Sequence, residues 1–307
     1  MTATLHEILE SNAPLPTWFG IGGRADTLAR PRTSEELRDL LVMFAGQPIR
    51  ILGDGANLLV DDDGVGGLVL SLDAFNQVEF TSHDDAPGRR QPVSVLVGAG
   101  VRLPKLIVET VRRGLAGLET LAGIPASIGG AVFMNAGGAF GQIADVVESV
   151  HATTRLGDEL VIPHDQICFD YRHSGLGWLV ITGAELHLTH LPASEHAALR
   201  QKLKDVMAYK KDSQPLADDS AGCVFRNPTV SGMRVSAGML IDQSGCKGMH
   251  VGGARVSDVH ANFFVAEDGC RAADIIALMD EVQRRVEETC GVHLQPEVVV
   301  WRRGEDR

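Results

Sequence analysis

Between Gly114 and Gly141 the chain places Gly117, Gly123, Gly129, Gly130, Gly137 and Gly138 among alanines and large apolar residues. No ordinary helix explains the whole run, because each interior glycine costs a helix about 0.5–1 kcal/mol relative to alanine. The composition suits a backbone that must approach something closely, since a chain without Cβ atoms can come within hydrogen-bonding distance and adopt positive φ freely. Ile124, Ile128, Val132 and Phe133 are interleaved with these glycines, a mixture foreign to a solvent loop. Two readings are open on composition: a tightly packed turn region in a small-residue core, or a buried loop facing a ligand.

A second glycine cluster, Gly53-Asp54-Gly55-Ala56-Asn57, follows directly on the short strand pattern Ile49–Leu52. Its backbone N–H groups suit phosphate oxygens, and a plain turn is the alternative. It is a poor dinucleotide fingerprint: Leu58 stands where G-x-G-x-x-G requires its third glycine, and residues 58–62 do not continue as an amphipathic helix. The Walker pattern is absent as well. Any nucleotide held here is held outside a Rossmann fold.

Periodicity supplies the rest of the frame. Thr33 can cap a helix while Glu36 reaches back, and Leu37, Leu40, Leu41 and Phe44 follow at helical spacing to Gly46. Residues 27–60 therefore read as strand, helix, strand and glycine turn. The pattern repeats from the strand Val93–Val97 through Gly98-Ala99-Gly100 to a helix carrying Leu103, Leu106, Ile107 and Val111, closed by Gly114. Strands are predicted at 146–153, 159–162 and 179–188, with a break at 189–194. Helices are predicted at 194–210, with Leu199, Leu203, Val206 and Met207 on one side, and at 272–290. A last strand spans 297–301. An α+β chain in three parts results: 1–72, 73–192 and 193–307, with the final strand free to pack back on the earlier parts.

At 307 residues the chain exceeds a usual single domain, and its 44% hydrophobic content supports real cores. A formal charge of −12 repels polyanions, and no basic run tracks nucleic acid. No stretch reaches the roughly 18 apolar residues of a membrane helix, and the opening residues carry no basic leader, so a cytoplasmic protein is expected. The five cysteines form no Cys-x-x-Cys pair, and the eleven histidines show no metal-binding spacing, so neither a disulfide scaffold nor a catalytic metal is expected. The sequence does not fix the oligomeric state, though a monomer is favoured over an assembly.

The two glycine clusters and Thr17-Trp18-Phe19-Gly20-Ile21-Gly22-Gly23 resemble the UDP-N-acetylenolpyruvoylglucosamine reductases, the MurB family of peptidoglycan synthesis. The likeness continues in order through Tyr171-Arg172-His173-Ser174, Ala221-Gly222-Cys223-Val224-Phe225-Arg226-Asn227-Pro228, Gly245-Cys246-Lys247-Gly248, Gly252-Gly253-Ala254, Val256-Ser257, His260-Ala261-Asn262-Phe263 and Pro296-Glu297-Val298. It covers residues 15–301 almost without a gap. The resemblance implies an FAD-binding fold of the vanillyl-alcohol-oxidase type, made of two small flavin-holding subdomains and a third α+β domain over the substrate. It also implies non-covalent FAD, reduction of the flavin by NADPH, and hydride transfer from flavin N5 to the enolpyruvyl double bond of a UDP-amino-sugar. The short stretch after Arg172 resembles the branch of the family without an extra substrate-covering loop.

By the same resemblance Arg172 and Glu297 match the polarising pair, and Cys223 stands where the family usually has a serine proton donor. Hydride attack leaves negative charge beside a carboxylate, which calls for an electrostatic partner and a proton. A thiol of ordinary pKa about 8.5 gives up a proton more readily than a hydroxyl. Without the resemblance, Cys223 reads as a buried structural cysteine. The matched FAD positions are Gly53, Gly55, Ala56, Asn57, Gly123, Ser127, Gly129 and Asn135, with Ala56 where a serine is frequent. The matched substrate positions are Tyr171, Lys211, Gln214, Asn227 and Asn262, and Lys211 departs from the family's arginine pattern. An oxygen-using flavin oxidase of the same fold and a non-catalytic UDP-sugar or FAD binder are the rival readings.

Overall fold

The structure, a computed structural model, describes residues 5–82, 89–215 and 217–305. It divides into two compact units: the first comprises the chain up to Glu10, Leu28–Asp54 and Gly67–Tyr209; the second comprises Ser11–Thr27, Gly55–Gly66 and the chain from Lys210 onward.

In the first unit the predicted cap starts the helix Ser34–Met43. Glu36 N–H donates to Thr33 Oγ1 at 3.1 Å, and the Glu36 carboxylate reaches back one residue beyond the cap, accepting from Arg32 N–H at 2.7 Å. Leu37, Leu40 and Leu41 bury the inner stripe of this helix. Ile49–Leu52 pairs in parallel with Val65–Ser71 from Ile49↔Leu68 to Leu52↔Ser71. The larger sheet is antiparallel, in the order Glu159–Pro163, Val147–Thr153, Val180–His190, Gln91–Gly98 and Val78–Ser82, with Leu115–Ala116 added to the end of Val180–His190. Val95, Val97, Val150, Ala184 and Leu186 point into its core, joined by Leu103 and Ile107 of the helix Leu103–Arg112 and by Ile128 and Val132 of the short helix Ile128–Phe133.

Two expectations need correction here. Val180–His190 runs past the expected break, because residues 183–190 pair without interruption with 98–91. The following helix is His196–Ser213, and Met207 is exposed while Leu199 and Val206 are buried. Leu199 and Val206 lie seven residues apart on one line, and Met207 sits about 100° further round.

The second unit gathers around the helices Ala237–Gln243 and Ala272–Cys290 and the antiparallel strands His250–Val251, Ala254–Val256 and Phe264–Ala266. Ile275, Leu278, Met279, Val282 and Val286 form the buried stripe of the long helix, and Phe225 meets Phe264 edge-on with centroids 5.9 Å apart. Residues 58–62 do avoid helix: Leu58–Val60 is a strand, paired in parallel with Val299–Trp301. Just beyond it, Asp62 accepts from Ala272 N–H and Ala273 N–H at 3.0 Å each, placing a carboxylate on the positive end of the long helix. The last strand begins at Val299 rather than Glu297, because the N–H groups of Glu297 and Val298 both turn to Val224 O. Among the described residues no helix is long and apolar enough to cross a membrane.

Candidate functional site

The loop Gly53–Asn57 leaves the strand Ile49–Leu52 with Gly55 at φ +67, and a Cβ at Gly55 would overlap the Pro16 carbonyl oxygen. Trp18 N–H donates to Gly55 O at 3.1 Å, but no N–H of residues 53–57 donates to another described residue. A glycine loop with consecutive donors unclaimed by the protein is what an anionic group requires. Asp54 is held by Arg102 at 3.1 Å, and an ideal Cβ on Gly53 would lie 2.9 Å from Ser127 Oγ. Gly53 and the start of the second glycine segment therefore face each other with only the Ser127 hydroxyl between them.

That second segment uses its donors differently. Ile128 N–H goes to Val101 O at 2.9 Å, Gly129 N–H to Ala99 O at 2.9 Å, and Gly130 N–H to Ser127 Oγ at 3.2 Å, with Ser127 capping the helix Ile128–Phe133. A Cβ on Gly129 would stand 3.0 Å from Ala99 Cβ, so glycine here permits close packing. Gly123 takes the left-handed turn at φ +75. Both compositional readings thus have a share: the first loop offers donors, and the second offers a tightly packed wall beside Gly53. Such a cradle fits a phosphate-bearing cofactor.

Arg172, also in the first unit, sits at φ +56, a left-handed conformation that costs a non-glycine residue about 1–2 kcal/mol. The tight turn around it is closed by Asp170 N–H to His173 O at 2.9 Å and His173 N–H to Asp170 O at 3.1 Å. Its Nη1 donates to Gly137 O at 2.9 Å, and its guanidinium carbon lies 5.3 Å from the Tyr171 ring centroid. Asn135, only 3% exposed, ties these pieces together: Nδ2 donates to Asp170 O at 3.0 Å and to Gln142 Oε1 at 3.2 Å, while Oδ1 accepts from Ala144 N–H at 3.3 Å. Ser174 adds a buried bond from Oγ to Phe133 O at 2.9 Å.

Cys223 and Glu297 belong to the second unit, where extended backbone brings their segments together. Val224 N–H donates to Asn262 O at 2.8 Å on one side; on the other, Glu297 N–H donates to Val224 O at 2.7 Å and Arg226 N–H to Gln295 O at 2.8 Å. Bridge pairs Cys223↔Phe263 and Phe225↔Pro296 complete the lattice. Asn262 clamps it with its side chain, Oδ1 accepting from Phe225 N–H at 2.9 Å and Nδ2 donating to Phe225 O at 2.8 Å. Cys223 is half-buried, whereas Cys246 and Cys270 are buried; burial pushes both of those thiols up, Cys270 to about 11. Glu297 is 8% exposed.

Of the other expected substrate positions, Lys211 is exposed on the last turn of His196–Ser213, and Gln214 is half-buried, its N–H bonded to Lys210 O at 2.9 Å. Asn227 Oδ1 accepts from Ala237 N–H at 2.9 Å. Sequence reasoning missed three contacts. Arg102 pairs with Asp54; Asn57 Nδ2 donates to Glu297 O at 3.1 Å; and His260 Nδ1 accepts from Asn262 N–H at 3.2 Å. No local pattern signals pairs separated by 48 or 240 positions.

Comparisons with known proteins agree on one family. A family model described as UDP-N-acetylenolpyruvoylglucosamine reductase, C-terminal domain, matches residues 214–301, and one described as FAD binding domain matches residues 25–162. A UDP-N-acetylenolpyruvoylglucosamine reductase from Moorella thermoacetica is 40% identical over 302 residues, covering 96% of this chain and 93% of its own. The reductase from Gloeobacter violaceus is 35% identical, with 94% of each chain covered. Among solved structures, the crystal structure of UDP-N-acetylenolpyruvylglucosamine reductase from Thermus caldophilus matches with a TM-score of 0.78 and 37% identity, over 96% of this chain and 100% of that one. The expected α+β fold, an FAD-binding part followed by a further α+β domain, is borne out.

Proposed function

The chain belongs to the UDP-N-acetylenolpyruvoylglucosamine reductase family, and from that premise we propose how its residues divide the reaction. The protein is an FAD-containing oxidoreductase that reduces the enolpyruvyl group of UDP-N-acetylenolpyruvoylglucosamine to UDP-N-acetylmuramate, with NADPH as hydride donor, in peptidoglycan synthesis. When bound in the Gly53–Asn57 cradle, FAD would supply the relay of hydride between NADPH and the methylene carbon of the substrate. The chain's own residues bind, orient and supply the proton.

Gly53, Gly55, Ala56 and Asn57 offer the diphosphate their unclaimed N–H groups, and Gly123, Ser127 and Gly129 form the close wall beside them. Asn135 serves the flavin side indirectly, by holding the Arg172 turn. Arg172 and Glu297 polarise the enolpyruvyl carboxylate, and Cys223 gives its Sγ proton to the carbon that bears it as the double bond is consumed. The resulting thiolate regains a proton from water. Tyr171, Lys211, Gln214 and Asn227 contact the UDP-amino-sugar; Asn262 braces the extended segment that carries Cys223 through its bonds to Phe225. Residues 1–72 and 73–192 act as FAD-binding subdomains and 193–307 as the substrate domain, in a cytoplasmic protein that binds no nucleic acid.

The observation that carries this reading is the 2.7 Å bond from Glu297 N–H to Val224 O, which ties the main chain of Glu297 to the residue after Cys223. Family membership alone leaves a cysteine at a serine's position unexplained; Cys223 is half-buried where Cys246 and Cys270 are buried, which suits a thiol that donates a proton. The test is anaerobic reduction of the bound flavin by NADPH, followed by the enolpyruvyl UDP-sugar or oxygen in separate cuvettes. Prompt reoxidation by the sugar and slow reoxidation by oxygen is expected, and fast oxygen use would favour the oxidase reading. Cys223→Ala should slow reoxidation by the sugar about 10²–10⁴-fold, the usual contribution of a positioned acid. Cys223→Ser should remain active. An alanine variant that turns over normally removes Cys223 from the mechanism.

A further inference from the structure

Asn57 lies at the end of the glycine loop assigned to the flavin, yet its side chain is directed elsewhere. Nδ2 donates to Glu297 O at 3.1 Å, and the Asn57 carbonyl accepts from Val299 N–H at 3.1 Å. Immediately afterwards Leu58 enters the parallel pairing with Val299. On its other side Glu297 donates its N–H to Val224 O at 2.7 Å, and Val298 does the same at 3.2 Å. Both peptide groups flanking the Glu297 α-carbon are therefore fixed, one by Val224 in the extended segment that carries Cys223 and one by the amide of Asn57.

A carboxylate's direction is set by its χ angles only after φ and ψ are set, and here both dihedrals are pinned by hydrogen bonds. Glu297 is nearly buried and Asn57 is half-buried, so water replaces the Asn57 amide poorly if that amide is removed. A shift of about 1 Å in a catalytic group is worth up to 10²-fold in rate. We propose that Asn57 is a positioning residue for Glu297: it locks the main chain of the carboxylate from the loop that approaches the flavin, so that cofactor loop and catalytic carboxylate form one mechanical piece. This rests on the assignment of Glu297 to the reaction above.

The test separates the two half-reactions in holoenzyme of Asn57→Asp, Asn57→Ser and Glu297→Gln, each assayed at saturating added FAD. Asn57→Asp keeps the shape of the side chain but turns an oxygen toward the Glu297 carbonyl; Asn57→Ser keeps a shorter donor. Asn57→Asp should slow reoxidation by the enolpyruvyl UDP-sugar about 10–100-fold, at least ten times more than it slows flavin reduction by NADPH. The loss should fall on kcat rather than on KM for the sugar, and Asn57→Ser should lie between. In the Glu297→Gln background, Asn57→Asp should add almost nothing, since the group it positions has gone. Equal slowing of both half-reactions, additive losses in the double variant, or loss of flavin from both Asn57 variants would each overturn the positioning role. Normal reoxidation in Glu297→Gln alone would instead remove Glu297 from the reaction, a distinct result.

Discussion

Arg172 and Cys223 are held by opposite means. The Arg172 turn is tethered largely by side chains, with Asn135 reaching three partners, Ser174 one, and the guanidinium itself leaning on Gly137 O. The Cys223 segment is held by main chain on both sides, from Val224 to Asn262 and from Glu297 and Gln295 back to 224–226, with one side-chain clamp at Asn262. A side-chain tether can hold a strained backbone such as φ +56 at Arg172, and it fails when one side chain is lost. A main-chain lattice tolerates most side-chain changes along it and breaks only where a side chain supplies a rung.

The largest effect expected from this contrast is that of Asn135→Ala. It deletes three hydrogen bonds at a residue 3% exposed and leaves alanine at φ +41, together about 3–5 kcal/mol of unfolding free energy by urea titration. A loss under about 1 kcal/mol would mean that the turn is not held by Asn135. Asn262→Ala comes next. Phe225 N–H and C=O would lose their partner in a fully buried residue, costing about 2–4 kcal/mol. Sugar-driven reoxidation should slow more than flavin reduction, and a silent Asn262→Ala would show that the main-chain rungs suffice. Ser174→Ala should cost about 1 kcal/mol, one buried neutral bond, with unchanged flavin content.

The smallest effect is a pH dependence in the Cys223 region. Burial lowers the His260 pKa from its ordinary value, assisted by Lys247, so the fold prefers the neutral ring whose Nδ1 accepts from Asn262 N–H. The unfolded chain therefore binds the proton more readily. The contribution is fully present above the unfolded value of about 6.5 and is lost as pH falls below it. The urea midpoint should drop between pH 7 and pH 5.5 in the wild type and drop less in His260→Gln. Equal slopes would deny His260 a part.

Much of the fold was legible in the sequence. The helices with one-sided periodicity, Ser34–Met43 with its Thr33 cap and Ala272–Cys290, lie where Thr33 and the Ile275–Val286 stripe put them. The short helix Ile128–Phe133 was not legible, because its glycines speak against helix until Ser127, Ala99 and Val101 absorb its first N–H groups. At the site, residue identity was readable and partnership was not. Asn57, Asn135 and Asn262 were matched as ligand contacts, while their amides are occupied by Glu297, Asp170 and Phe225. An amide reads alike in sequence whether it faces a ligand or a distant carbonyl.

By itself the sequence determined the local conformations and the chemistry available: glycine where no Cβ fits, caps where N–H groups need acceptors, and a thiol, a guanidinium and a carboxylate in recognisable blocks. Only the tertiary structure decided which distant segments share hydrogen bonds. It drew Leu58–Val60 beside Val299–Trp301 and Asp62 to the helix at Ala272, and it seated Glu297 between Val224 and Asn57. Short-range preferences act over a few residues and leave a pattern in the chain. Pairings across 240 positions are selected by the burial and hydrogen-bond satisfaction of the whole second unit.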